Sequence, residues 1–157
     1  FNGDDVIGLN NSLVDAGKNY TVSLWLKTNN TNTDPLRNIA FSSGHTFDHD
    51  DLSINGTIVG YFDGNRGGVT VNADDGNYHH LCCTNDSGTH KVYKDSSFIG
   101  SYTNSLSSDN GVQNSIGARY SDGSPTNHYN GVVDDIRIYN RVLTSSEISD
   151  IYNSTEL

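Results

Sequence analysis

Apolar and polar residues alternate along several short segments of the chain, most clearly between residues 20 and 27. Side chains point alternately to the two faces of a β-strand, so this period of two predicts a strand with two chemically different faces. One face would carry Tyr20, Val22, Leu24 and Leu26, and the other Thr21, Ser23, Trp25 and Lys27.

Similar apolar and β-branched runs, separated by Gly, Asn, Asp and Ser, predict further strands. They are expected at residues 1–9, 38–43, 52–55, 57–61, 68–72, 78–84, 90–95, 97–102, 115–120 and, as the longest, 128–143. Asn55-Gly56 and Asp63-Gly64 have the composition of hairpin turns, and residues 13–19, 29–34 and 121–127 read as a turn and two polar loops.

A single helix is predicted at the C-terminal end. Thr144-Ser-Ser-Glu147 is a capping-box sequence, and it precedes an apolar face made of Ile148, Ile151 and Tyr152. Many short strands followed by one late helix are typical of an all-β domain. We therefore predict a two-sheet antiparallel sandwich with one short C-terminal helix, and the 157 residues suffice for one domain with a real core.

Two adjacent carboxylates, Asp134 and Asp135, lie in the middle of the long predicted strand. Because neighbouring side chains face opposite ways, one of the two is expected to point inward. A buried carboxylate without a partner costs several kcal/mol. A metal ion, an Arg or a row of backbone N–H groups would each provide that partner.

Four segments of the sequence resemble the laminin-G-like, concanavalin A-like jelly-roll family. They are the Phe1-Asn-Gly-Asp-Asp opening, the strand containing Ser23 and Trp25, the Tyr78-His-His-Leu segment, and the closing segment from Gly131 to Leu143. Asn2 replaces an Asp of the family pattern, Tyr78 replaces a Trp, and Ser96 stands where a turn glycine is usual. The resemblance covers nearly the whole chain and implies a single jelly-roll domain over residues 1–157.

Composition and charge narrow the classes of partner. The formal net charge of -10 argues against nucleic acid and anionic membrane surfaces, and nothing in the chain is long and apolar enough to span a bilayer. Cys82 and Cys83 are adjacent, closer than the usual disulfide geometry allows, and are predicted to be reduced on opposite faces of a strand. The alternative is a strained vicinal disulfide. The absence of Met and the strand start at Phe1 favour a module of a larger protein.

The family resemblance also suggests a structural calcium ion where the first strand meets the last long one. Its ligands would come from Asp4 or Asp5 and from Asp134 or Asp135, with backbone carbonyls near Asn2. The alternative is that these residues are turn formers and surface charges, with Asp135 paired to Arg137 or Arg141.

Glycan recognition would use aromatic rings and polar loop tips. Residues 120–129 form the expected recognition loop. The candidate side chains are Trp25, Tyr61, Tyr120, Asp122, Asn127, His128 and Tyr129, with Arg66 and Arg119 available for acidic sugars. The alternative is that the aromatic residues fill the core.

A second acidic cluster, residues 45–51, is expected in a loop that is solvated or binds a metal or sugar. His79 and His80 read as strand residues, one facing inward and one outward.

These observations predict a non-catalytic binding or adhesion module located outside the cell, on a cell surface or on a virion. Its partners would be glycans, with calcium support, or a cell-surface or appendage protein. The main alternative is a structural module of a filament or viral fibre that binds no free ligand and self-assembles through a sheet edge. A polysaccharide hydrolase ranks third because the only two Glu residues, Glu147 and Glu156, both lie at the C-terminal end.

Overall fold

The computed structural model describes residues 7–9, 19–29, 39–45, 48–55, 58–60, 68–103, 113–121, 124–126 and 128–154. Its first strands are β1 (Ile7–Leu9), β2 (Tyr20–Lys27), β3 (Ile39–His45), β4 (Asp48–Asn55), β5 (Ile58–Gly60), β6 (Gly68–Thr70) and β7 (Tyr78–Asp86). The remaining elements are β8 (Thr89–Lys94), β9 (Ser97–Thr103), β10 (Gln113–Ile116), β11 (Arg119–Ser121), β12 (Ser124–Thr126), β13 (Val132–Tyr139) and the helix α1 (Ser145–Ser154).

The strands form two large antiparallel sheets. One sheet has the order β1-β10-β3-β4-β5-β6 and the other β13-β2-β7-β8-β9, while β11 and β12 form a separate two-stranded ribbon. The edge strands β6 and β9 approach each other, because a Cβ placed on Gly100 would lie 3.1 Å from Cγ1 of Val69. The predicted two-sheet antiparallel sandwich with a C-terminal helix is therefore confirmed.

The main hydrophobic core is built on the inner face of the five-stranded sheet. It contains Tyr20, Val22, Leu24, Leu26, Val69, Val71, Ala73, Leu81, Cys83, Val92, Ile116 and Tyr129. The predicted inner face of β2 is thus correct, residue by residue. Burial of these apolar side chains supplies the main driving force for closing the sandwich.

Helix α1 covers the outer face of the same sheet. A second buried cluster contains Cys82, Tyr93, Leu143 and Ile148, and the Tyr152 ring stacks on Trp25 with 5.5 Å between centroids. Both faces of β2 are consequently buried, although its sequence alternates. Cys82 and Cys83 are free and belong to the two different clusters, as the sequence predicts.

The predicted capping box forms at the start of α1. The Thr144 Oγ1 accepts the Glu147 N–H at 3.3 Å, and Glu147 Oε2 accepts the Thr144 N–H at 2.8 Å. Arg141 adds two hydrogen bonds to the Glu147 carboxylate. These contacts hold the pKa of Glu147 down, at about 2. The helix has ten residues, and no described helix is long and apolar enough to cross a membrane.

Three local predictions differ from the structure. Residues 48–51 belong to β4, and His45, in β3, pairs with Asp48, so the described part of the acidic segment is strand. The predicted strand 115–120 breaks at Gly117, whose φ of 83° interrupts the extended backbone. The predicted loop 121–127 contains β12, which pairs with β11.

The turn between β8 and β9 places two residues other than glycine in the left-handed region. Asp95 has φ of 49° and Ser96 has φ of 64°. Both central residues of a type I′ hairpin turn require positive φ, which is unfavourable for residues with a Cβ. At Asp95 the unfavourable φ is offset by a hydrogen bond, because the Asp95 carboxylate accepts the His80 N–H at 2.9 Å.

We expect Ser96→Gly to raise the free energy of unfolding by about 1 kcal/mol, because glycine adopts positive φ without steric cost. Urea denaturation measures the change. The matched control is Ser97→Gly in the extended backbone of β9, which should lower stability by about 0.5–1 kcal/mol. Equal losses in both variants would contradict the turn assignment.

Two buried histidines make the fold sensitive to acid. Burial lowers the pKa of His80 to about 4, with Asp95 and Asp135 opposing that shift, and burial lowers the pKa of His90 to about 4. The unfolded chain, with histidine pKa values near 6.5, therefore binds protons before the folded chain does. Stability is complete above about pH 6.5 and falls as the pH drops toward 4.

We expect each histidine to contribute a slope of at most about 1.4 kcal/mol per pH unit over that window. Urea unfolding followed by fluorescence of Trp25, the only tryptophan, between pH 7 and pH 4.5 measures it. His80→Gln and His90→Gln should each flatten the dependence. An unchanged dependence in the double variant would refute this origin of the acid sensitivity.

Candidate functional site

Two of the predicted ligand-binding aromatics are packing residues. Trp25 is 7% exposed, beneath α1 and beside His80, and Tyr129 is 0% exposed in the main core. The Tyr129 hydroxyl donates to the Val132 carbonyl at 3.5 Å, and burial raises the pKa of this phenol. Rings buried in this way present no face to a ligand, so both take the core role that was the alternative interpretation.

The other predicted ligand-binding residues are only partly described. His128 is half-buried, immediately before Tyr129. Tyr120 lies in β11, where only its backbone is described, as is that of Arg119. Tyr61, Arg66, Asp122 and Asn127 lie outside the described residues. The proposed recognition loop 120–129 therefore stays a prediction.

The described residues bring another set of polar and aromatic side chains together at one end of the five-stranded sheet. We call this the end surface, and its members are Lys27, Asn29, Asp75, Asn77, Tyr78, Asn130 and Val132. Lys27 is half-buried and the other six are exposed. Three chain segments, 27–29, 75–78 and 130–132, supply these residues.

Strand register aligns the first row of the end surface. Val132 of β13 pairs with Lys27 of β2, which in turn pairs with Tyr78 of β7. Paired residues point to the same face of a sheet, so these three side chains form one cross-strand row. The Lys27 Nζ lies 5.1 Å from the centroid of the Tyr78 ring. This cation–π contact orients the ring, while 42% of Tyr78 stays exposed.

Hydrogen bonds of Thr28 join the three segments just beyond that row. The Gly76 N–H donates to the Thr28 carbonyl at 2.9 Å, and the Thr28 hydroxyl donates to the Asn130 carbonyl at 2.7 Å. A Cβ on Gly131 would lie 2.2 Å from the Lys27 carbonyl, so only glycine permits this close approach. The amide side chains of Asn29, Asn77 and Asn130 are thereby held on connected segments.

The end surface combines an exposed ring with groups that both donate and accept hydrogen bonds. Asn side chains offer an N–H₂ and a carbonyl oxygen, Lys27 donates, and the Asp75 carboxylate accepts. Hydrogen bonds to Asn77 and then to His79 lower the pKa of Asp75 to about 2, so it is ionised near neutral pH. Such a surface suits a polyhydroxylated ligand with an apolar face that packs on a ring.

His79 lies directly behind the end surface. Its Nε2 is 3.1 Å from Asp75 Oδ1 and its Nδ1 is 2.9 Å from Asp95 Oδ2. His79 and His80 lie on opposite faces of the sheet, as predicted. His80 is on the outer face, which α1 covers, so the outward-facing histidine is buried as well, and its Nε2 lies 2.7 Å from the Ser23 hydroxyl.

The two central aspartates of β13 adopt different roles. A β-bulge between Asp134 and Arg137 interrupts the strand, and Asp135 has φ of 45°. Arg137 binds both Asp135 oxygens, with its Nε 2.9 Å from Oδ1 and its Nη2 2.7 Å from Oδ2. Asp134 is exposed and its Oδ1 accepts the Asp135 N–H at 2.8 Å. Asp134 is thus the member of the pair whose carboxylate suits a hard cation.

The structure describes only some of the predicted calcium ligands. β1 and β13 are both edge strands, one in each large sheet, so an ion between them would link the sheets. Asp4 and Asp5 lie outside the described residues. Within the described part of the chain, no three His, Cys, Asp or Glu side chains converge in a way that would hold a metal.

No motif in the sequence singles out Lys27, Asn29, Asn77, Tyr78 or Asn130 as binding residues. Tyr78 is predicted only within a strand motif, Asn29 opens a predicted polar loop, and Asn130 lies in the long predicted strand. The feature that indicates these residues is their position: residues 28–29, 75–77 and 130–131 flank strands that pair with one another. That pairing is a tertiary fact and cannot be deduced from each segment alone.

Comparison with solved structures shows the same fold in carbohydrate-related proteins. Domain 4 of AbnA, a GH43 extracellular arabinanase from Geobacillus stearothermophilus solved with arabinotriose, has a TM-score of 0.71 and 25% identity over 97% of this chain and 74% of that one. The Ruminococcus gnavus IT-sialidase CBM40 bound to α2,3-sialyllactose has a TM-score of 0.67 and 15% identity, covering 86% of this chain and 83% of that one.

A SAP-like pentraxin from Limulus polyphemus is also similar, with a TM-score of 0.66 and 15% identity over 86% of this chain and 70% of that one. No curated protein sequence matches the chain. The sequence model Laminin_G_3, described as the concanavalin A-like lectin/glucanases superfamily, matches residues 1–149. The chain therefore belongs to the concanavalin A-like lectin/glucanase superfamily, in its laminin-G branch.

Proposed function

We propose that this protein is a non-catalytic glycan-binding module that uses the end surface for recognition. The observation that carries the proposal is the exposed Tyr78 ring, oriented by Lys27 and surrounded by exposed amide side chains. The ring would pack against the apolar face of a sugar, while the amides and Asp75 would bond its hydroxyls. Solved structures of the same fold with arabinotriose and sialyllactose support this class of ligand.

Two described carboxylates with structural roles favour binding over hydrolysis. Glycosidases need one carboxylic acid that stays protonated near neutral pH. Glu147 caps α1, is bonded to Arg141 and has a pKa of about 2, and Asp135 is ion-paired to Arg137. These two groups serve the structure rather than proton transfer.

We further propose that the module acts outside the cell, on a cell surface or on a virion. AbnA, whose domain 4 has a similar structure, is named as an extracellular arabinanase, which supports this location. The partners would be glycans of a surface or matrix, or a glycan-bearing surface protein.

A structural module remains the second candidate function. The edge strand β9 contains no charged residue, and it exposes Phe98 (55%) and Ile99 (40%). Uncharged exposed edges favour pairing with another strand, so this edge would suit self-assembly into a filament or fibre. A folded protein that binds no glycan but associates through β9 would favour this function.

We expect a glycan array to detect binding, with arabinotriose and α2,3-sialyllactose included as defined probes. Tyr78→Ala should weaken binding of any positive glycan by about tenfold or more, because it removes the ring (about 1.4 kcal/mol for each factor of ten). Phe98→Ala is the matched control, since it removes an exposed ring in β9, an edge strand two strands away from β7. Unchanged affinity in Tyr78→Ala would locate the site elsewhere, and a folded protein that binds nothing on the array would refute the lectin function for those glycans.

Calcium is proposed as a structural support of the module, with Asp134 and one of Asp4 and Asp5 among the ligands. We expect the protein to unfold at a higher temperature in calcium than in chelator. Saturation at 100 times the dissociation constant would add about 2.7 kcal/mol. Asp134→Asn should remove the difference, whereas Asp150→Asn on the exposed side of α1 should not. An identical melting temperature with and without calcium would exclude the ion.

A further inference from the structure

His79 links two separate turns, the one before β7 and the one between β8 and β9. Its two ring nitrogens contact Asp75, in the segment before β7, and Asp95, in the turn between β8 and β9. Asp95 uses its other oxygen to accept the His80 N–H at 2.9 Å, and its own N–H donates to the His80 carbonyl at 2.9 Å. The Asp95 side of this arrangement is therefore anchored rigidly to the sheet.

The Asp75 side leads to the end surface. The same Asp75 oxygen that contacts His79 accepts the Asn77 N–H at 2.9 Å, so the carboxylate closes a turn over residues 75–77. Gly76 within that turn donates to the Thr28 carbonyl. Asn77 is the last residue of this turn and Tyr78 follows it; both belong to the end surface and directly precede His79.

We propose that His79 is a positioning residue of the end surface: by contacting Asp75 and Asp95 through its two ring nitrogens, it fixes the 75–77 turn and hence the placement of Asn77 and Tyr78 toward a bound glycan. The role in recognition rests on the proposed function. The role in fixing the turn does not, and it is measurable without any ligand.

The geometry favours this role over a metal site. The two carboxylates lie on opposite ring nitrogens, so they cannot converge with the imidazole on one ion. His79 is 9% exposed, whereas the Asp75 side chain is 52% exposed and that of Asp95 is 32% exposed. The imidazole thus lies behind the surface, and the side chains that a ligand would reach lie in front of it.

Hydrogen exchange of the native protein tests the turn. In His79→Phe, which keeps a ring but removes both hydrogen-bonding nitrogens, the amides of Gly76 and Asn77 should exchange about tenfold faster. His79→Arg retains N–H donors for both carboxylates and should restore most of the protection. If His79→Phe does not fold, His79→Leu, which also lacks both ring nitrogens, should show the same loss of protection.

Binding of a positive array glycan provides the second readout. His79→Phe should lose affinity by about fivefold or more, and His79→Arg should recover it. The control His80→Gln should retain it, because the His80 ring bonds Ser23 and packs against Trp25 and Tyr152 rather than bonding Asp75. Unchanged exchange rates in folded His79→Phe, or in His79→Leu if that variant is the one that folds, would overturn the proposal. Faster exchange with unchanged affinity for a glycan that requires Tyr78 would also overturn it.

A wild-type protein that binds no glycan refutes the proposed function. In that case the exchange rates still decide whether His79 fixes the turn.

Discussion

The burial of one sheet on both faces is the constraint on which the rest of this structure depends. The five-stranded sheet packs its inner face against the six-stranded sheet and its outer face against α1. All side chains from Tyr20 to Leu26 are consequently buried. A strand enclosed in this way cannot slip in register without moving polar groups into the core, so β2 fixes its neighbours β13 and β7.

The helix contributes more than its length suggests. It has ten residues, and only Ile148 is fully buried, yet Tyr152 stacks on Trp25 and lies 5.9 Å from the His80 ring. Without this cover, Trp25, His80 and Cys82 would form an exposed aromatic and polar patch. Arg141 and Thr144 secure the start of the helix through Glu147, so the outer layer is attached by local hydrogen bonds as well as by packing.

The end surface results from the strand pairing of β2 with β13 and β7. Because β13, β2 and β7 are adjacent, the residues flanking them meet at one end of the sheet, and Thr28 connects both neighbours through hydrogen bonds. The sheet, buried on both faces, thereby positions amide groups, a carboxylate and one oriented ring at its end. Placing binding groups on short segments at the ends of packed strands is a common way to combine precision with variable ligands.

The sequence by itself determined the fold class, the inner face of β2, the opposite placement of Cys82 and Cys83, and the cap of α1. These follow from local periodicity and side-chain chemistry, which act over a few residues. It did not determine that the polar face of β2 is buried, because that depends on a helix more than a hundred residues away. It also placed recognition in residues 120–129, since long mixed loops are typical of binding sites. Only the tertiary structure brought Lys27, Tyr78 and Asn130 together, because strand pairing joins segments that no local pattern connects.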